Sequence, residues 1–171
     1  MKSVFLVMFL TVSAFAQSPT PVPAACGPDK TTFDVKTEES QGPPAQPDAG
    51  KALVYFIHDD GPMGNHQHET LRIGVDGTWV GAYKHNSYLS VFLEPGEHHV
   101  CAKLQPYGPE LTALAHFTAE QGKVYYFRTQ FLAGMTTLYP TPPHLDLDQP
   151  DSDQAKYLIA SFPRSVSTAK K

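Results

Sequence analysis

Cysteine, tryptophan and basic charge are all scarce in this chain. Two cysteines and one tryptophan stand among 171 residues, and 13 lysines and arginines face 17 acids. That balance argues against a nucleic-acid partner, whose phosphates require a basic face, and no Lys/Arg cluster addresses anionic lipid. Catalytic signatures are missing too. There is no G-x-S-x-G, H-E-x-x-H, C-x-x-C, P-loop or G-x-G-x-x-G, so the common sequence marks of hydrolases, zinc proteases, thiol redox enzymes and nucleotide enzymes are absent. The chain is accordingly read as non-enzymatic, and no cofactor is implied. Its one apolar run near the N-terminus is too short for a permanent transmembrane anchor.

That run belongs to "MKSVFLVMFLTVSAFA", with Lys2, an apolar stretch, and Ala14-Phe15-Ala16 as a small-x-small cleavage site. Residues 1–16 therefore read as a signal peptide, which predicts an exported protein, periplasmic or secreted. A lipid anchor at Cys26 is disfavoured, because Pro23 stands where a leucine usually precedes the modified cysteine. Without residues 1–16, 12 basic and 17 acidic side chains leave a formal charge of −5. The remaining length suffices for one domain with a real core. Cys26 and Cys101 are an even pair in an oxidising compartment, which reads as one disulfide. In "HHVCAKL", Val100, Ala102 and Leu104 share one strand face, and His99, Cys101 and Lys103 the other. Cys101 is thus expected on an outer face, with the segment carrying Cys26 laid across the sheet; a free buried thiol is the competing reading.

Residues 17–50 hold much of the proline and read as an extended arm and linker, with "TTFDVKT" as a short strand on which Phe33 and Val35 face alike. Residues 51–150 read as an antiparallel β domain. "ALVYFIH" is a dense run of strand length, and "TLRIGV" and "TWVGAY" flank Asp76-Gly77, a strong hairpin signal. "NSYLSVFLEP" is expected to reverse at Pro95-Gly96 and pair with "HHVCAKL". "LTALAHFTA" and "KVYYFRTQF", separated by Gly122, predict another hairpin. Asp151 caps a helix over residues 151–163 with the stripe Ala155, Leu158, Ile159 and Phe162, ended by Pro163. Residues 164–171 read as a disordered tail. The fold class is mainly β: an antiparallel β-sandwich or small barrel with one short C-terminal helix.

The densest polar stretch is "HDDGPMGNHQHE", from His58 to Glu69. His66 and His68 sit two apart, so on a strand both imidazoles project from one face, and His58 ends the preceding strand. These three are the candidate metal ligands. The pattern invites comparison with the cupin barrels, whose H-x-H is followed by a glutamate and, after a turn, a further histidine. It departs from them, since Glu69 adjoins His68 directly and faces the other way, while Arg72 and Ile73 occupy the expected glutamate positions. The turn-forming residues of "DDGPMGN" favour a solvated polar loop instead. Among the other histidines, His98 and His99 point to opposite faces, His116 is expected partly buried, and His85 and His144 at the surface. The carboxylate pairs Asp59/Asp60 and Glu94/Glu97 lack the convergence and desolvation that acid–base catalysis requires. Trp79 and Tyr83 are expected on one face, as a possible aromatic strip for ligand contact.

The pieces "KALVYFI", "RIGVDGTWVGAY", "YLSVFLEPGEHHVCA" and "GKVYYFR" together resemble the domain of unknown function 2846, found in exported and lipid-anchored bacterial proteins and close in pattern to the envelope-associated PEGA-type β-domains. The similarity covers roughly residues 51–130. It implies a β fold and an envelope location, with an unidentified envelope protein or glycan as partner, and it brings no catalytic residue with it.

Overall fold

The computed structural model describes residues 24–39, 46–60, 70–105, 111–132 and 142–170. Among the described residues, ten strands and one helix follow in chain order: β1 (Phe33–Glu38), β2 (Ala52–His58), β3 (Thr70–Val75), β4 (Thr78–Lys84), β5 (Ser87–Leu93), β6 (Gly96–Gln105), β7 (Thr112–Ala119), β8 (Val124–Leu132), β9 (His144–Asp148), α1 (Ser152–Ser161) and β10 (Arg164–Ala169). They form two sheets, a six-stranded one ordered β1-β10-β5-β2-β8-β9 and a four-stranded one ordered β4-β3-β6-β7. The expected mainly β sandwich with one short helix is what the chain adopts.

The strand β2 is why the six-stranded sheet lies at the centre. All seven of its residues are buried. Val54 and Phe56 face the other sheet, where they meet Leu71, Ile73, Tyr83, Val100, Leu104 and Phe117. Leu53, Tyr55 and Ile57 face outward, where α1 covers them with Ala155, Leu158 and Ile159. A strand apolar on both faces must be covered on both, so the helix supplies the third layer. Asp151 caps α1 by accepting the Asp153 N–H, and Phe162 packs beside the same cluster.

Turn chemistry foretold the reversals but not the partners. The Asp76-Gly77 turn, with φ of 49° and 80°, does join a paired hairpin, β3–β4. The Pro95-Gly96 and Gly122 turns form as well, yet each carries the chain from one sheet to the other. β5 pairs with β2, β6 with β3 and β7, and β8 with β2 in parallel. The predicted hairpins β5–β6 and β7–β8 are therefore corrected to sheet-switching corners. The tail is corrected as well. Residues 164–169 form β10, paired with β1 from Phe33↔Ala169 to Glu38↔Arg164. Its serines explain the order: Ser167 and Ser165 hydroxyls accept the Ala82 and Lys84 N–H groups of the β4 edge.

Residues 24–31 of the N-terminal arm lie on the outer face of the four-stranded sheet, as expected, and Cys26 is bonded to Cys101. The sheet accommodates it so closely that a Cβ on Gly74 would lie 2.7 Å from Ala25 O and 3.1 Å from Cys26 Cα. Gly74→Ala is thus expected to lift the arm and cost about 1–3 kcal/mol, the usual penalty for overpacking. Because Trp79 lies beneath the arm and is the chain's sole tryptophan, its emission should shift to the red in that variant while far-UV circular dichroism stays unchanged.

The expected aromatic strip does not form. Between Ile73↔Gly81 and Gly74↔Trp79 the pairing slips by one residue, leaving Val80 as a bulge. Alternation breaks there. Tyr83 turns into the core, fully buried, whereas Trp79 faces outward under the arm, with its Nε1–H donating to Pro28 O at 2.8 Å.

Candidate functional site

The site sits where β2 ends. Phe56 faces the inter-sheet core, and alternation places His58 on the same side two residues later, completely buried. Histidine at a strand end was expected in water. The burial is explained by its partner: His58 Nε2 lies 2.8 Å from Asp60 Oδ1, and Asp60 Oδ2 lies 2.7 Å from His85 Nδ1. The Asp60 side chain has no exposed surface, and His85, expected at the surface, keeps only 16 % of its side-chain exposure. Further bonds secure the carboxylate. The Phe131 N–H donates to Oδ1 at 3.3 Å, and the Asp60 N–H donates to Asn86 Oδ1. One acid thereby joins the end of β2, the β4–β5 turn and the end of β8.

Burial by itself would raise the Asp60 carboxyl, but the hydrogen bond and charge of His58, with the His85 and Phe131 hydrogen bonds, outweigh it and hold the group at about 2. Asp60 is therefore ionised at neutral pH. An ionised carboxylate only accepts, so both imidazoles direct an N–H at it and turn their second nitrogen away. At His58 that second nitrogen, Nδ1, is buried and has no hydrogen-bond partner among the described residues.

Beside this trio stands Tyr83, its ring edge-on to His58 with centroids 5.7 Å apart. Its hydroxyl bonds to Thr129 Oγ1 at 2.7 Å, which in turn donates to Ile57 O. Burial drives the Tyr83 hydroxyl well above its ordinary value, and nearby Asp60 adds to that, so it stays a neutral donor. Asp59 points elsewhere. It faces Arg128 at 3.9 Å, and Arg128 is held bidentately by Asp148.

Of the three candidate metal ligands, only His58 belongs to the described residues; His66 and His68 lie outside them. Among the described residues, no three His, Cys, Asp or Glu side chains are placed to hold a metal ion together. What sequence reading missed is the Asp60–His85 half of the trio. The two histidines are 27 positions apart, and only the register His58↔Ser87 brings the β4–β5 turn beside β2. The available signal was Asp60 itself, an acid two residues beyond a histidine on a buried strand.

The chain matches no family profile, no curated protein and no solved structure.

The other histidines separate by environment. At the opposite end of the sandwich His98 bonds through Nδ1 to Asp76 Oδ2 at 2.6 Å and through Nε2 to Glu94 O at 2.8 Å. The His99 N–H adds a bond to Asp76 Oδ1. His116, expected partly buried, is exposed opposite His99 on the outer face of the four-stranded sheet. It stands in the apolar run because β7 is an edge strand with one face in water.

Burial lowers the proton affinity of His98, but the Glu94 carbonyl and the Asp76 carboxylate outweigh it, and the net shift is upward. A raised folded value stabilises the protein fully below the unfolded value, near 6.5, and that contribution disappears as pH rises through the higher folded value. The gain is modest, under about 1 kcal/mol, because Asp76 is partly solvated. Urea unfolding at pH 5.5 and 8.5 should show a wild-type advantage at the lower pH that His98→Asn removes.

Proposed function

We propose that this protein is an exported β-sandwich module of the bacterial envelope, of the kind typified by the domain of unknown function 2846, acting by binding rather than by catalysis. The observation that carries this reading is the Cys26–Cys101 bond, which ties the arm to the outer face of the four-stranded sheet. Such a bond persists in oxidising compartments and is rare in reducing ones. Support also comes from the signal-like residues 1–16 and from the absence, among the described residues, of a nucleophile aligned with a base. Its partner is an envelope protein or a glycan.

Expression with residues 1–16 intact, followed by fractionation, tests the location. The expected result is a processed chain beginning near Gln17 in the periplasm or medium, with both thiols unreactive to alkylation before reduction. A full-length, cytoplasmic chain with two alkylatable thiols would overturn the reading.

A second reading, a metal-binding protein using His58, His66 and His68, is favoured by one feature. His58 has one nitrogen held by a buried carboxylate and the other unpartnered among the described residues, which is how metal-ligating histidines are oriented by their supporting carboxylates. Elemental analysis of the purified full chain discriminates. Stoichiometric zinc, copper or iron that disappears in His66→Ala would replace the first reading with the second.

A further inference from the structure

Two histidines face each other across the β6–β7 ladder. His99 and His116 stand directly opposite in that antiparallel register. Val100, Ala102 and Leu104 of β6 are buried, as are Phe117 and Ala119 of β7. Alternation therefore sends Glu97, His99 and Cys101 to the outer face of the four-stranded sheet, with His116 beside them. His116 is exposed, and the His99 side chain keeps 28 % of its surface.

The ring centroids are 6.3 Å apart and the planes are inclined by 33°. A transition-metal ion bonds an imidazole nitrogen at about 2.0–2.1 Å, so one ion bridges rings whose centroids lie up to about 6.5 Å apart. Bent coordination needs them closer, and the exposed His116 ring has room to turn inward about its χ angles. Neither ring is committed elsewhere. His116 has no hydrogen-bond or ion-pair partner among the described residues. His99 Nε2 has the Glu97 carboxylate at 3.7 Å, too far for a hydrogen bond but near enough to attract a cation. His98, by contrast, has both ring nitrogens engaged.

The backbone beneath His99 is fixed. Asp76 N–H donates to His99 O at 3.0 Å, and His99 N–H donates to Asp76 Oδ1 at 2.8 Å. Cys101, next on the same face, is bonded to Cys26. Ligands carried by such a strand are already in place before an ion arrives. We propose that His99 and His116 form a two-imidazole chelate for a divalent transition-metal ion, copper or zinc, with water completing the coordination. Imidazole suits both metals, and copper binds the tighter of the two, whereas calcium and magnesium take oxygen ligands. This chelate is independent of the His58, His66 and His68 reading. His58 faces the inter-sheet core, while His99 and His116 lie on the far side of the four-stranded sheet.

Calorimetric titration of the tag-free full chain with copper(II) chloride and with zinc chloride at neutral pH tests this. Wild type is expected to bind an equivalent that excess magnesium chloride does not displace. His116→Ala and His99→Asn should each weaken that equivalent by about tenfold or more, and the double variant no further than the weaker single, because a chelate fails once either arm is gone. His66→Ala and His144→Ala should leave it in place, so failure of the His58, His66 and His68 reading does not touch it. Wild-type chain that binds neither ion overturns the proposal, as does one whose every bound equivalent is unchanged in His116→Ala. Losses that simply add in the double variant overturn it too, since they mark two separate imidazoles. If His99→Asn lacks near-ultraviolet circular dichroism, electron paramagnetic resonance of copper-loaded wild type and His116→Ala gives the reading. A signal showing two coupled nitrogens that falls to one in His116→Ala supports the chelate, and an identical signal in both refutes it.

Discussion

Removing the Cys26–Cys101 bond is expected to lower the unfolding free energy by about 4 kcal/mol, which for a chain of this size means a fall of about 10 °C in Tm. The bond closes a loop of 75 residues. On the chain-entropy account, the long loop makes the cross-link effective, because the reduced unfolded chain regains the freedom that the closed loop denies it. The double variant Cys26→Ser/Cys101→Ser, compared with wild type by thermal unfolding, measures the effect. Tryptophan emission measures something different in the same samples. The arm is also held by Arg72, Trp79 and Lys103, so at low temperature the folded double variant should keep the wild-type emission maximum. A red-shifted maximum before unfolding would mean that only the covalent bond keeps the arm on Trp79.

The legible parts of this fold were those written in local chemistry. "ALVYFIH" announced a strand, Asp76-Gly77 announced a hairpin, and Asp151 with the Ala155–Leu158–Ile159 stripe announced α1. The alternation around Cys101 even assigned the cysteine to the outer face. Long-range pairing was not legible. A Pro-Gly turn reverses the chain whether the next strand continues the same sheet or crosses to the other, so β5–β6 and a hairpin look alike in sequence. The bulge at Val80 is a single-residue slip with no local mark, and it alone separates Trp79 from Tyr83. "RSVSTAKK" looked disordered because its stabilising partners are the distant β1 and the N–H groups of Ala82 and Lys84. The candidate site was half legible for the same reason. His58 and Asp60 are sequence neighbours, while His85 joins them only through the β2–β5 register.

Asp60→Ala is expected to destabilise the protein by about 3–5 kcal/mol, the cost of breaking a buried charged network by removing one partner. Among the described residues the acid is the partner of His58 Nε2, and it also accepts from His85 and the Phe131 N–H. Its loss leaves the buried His58 Nε2 and the largely buried His85 Nδ1 without the acceptor they share. Asp60→Asn separates the charge from the shape. The amide keeps one acceptor and nearly the same volume, and the imidazole facing its NH2 group must move its proton to the other ring nitrogen. The pH dependence then identifies the carboxylate. Its folded value is depressed to about 2 from an ordinary 3.8, so its contribution is complete above the ordinary value and lost as pH falls toward the depressed one. That difference corresponds to about 2 kcal/mol, disappearing between about pH 4 and pH 2. Wild-type chemical denaturation midpoints should therefore fall over that window more steeply than those of Asp60→Asn. Equal slopes in the two proteins would show that Asp60 is not held ionised by its two histidines. The placement of the carboxylate makes the stakes structural as well as local. It ties β2, the β4–β5 turn and β8 together at the end of the sandwich from which the His-rich segment departs. Loosening it is expected to raise amide exchange first at His85 and Asn86, ahead of the β2 interior, because that turn is tied to the end of β2 through Asp60 while Val54 and Phe56 lie in the core between the two sheets.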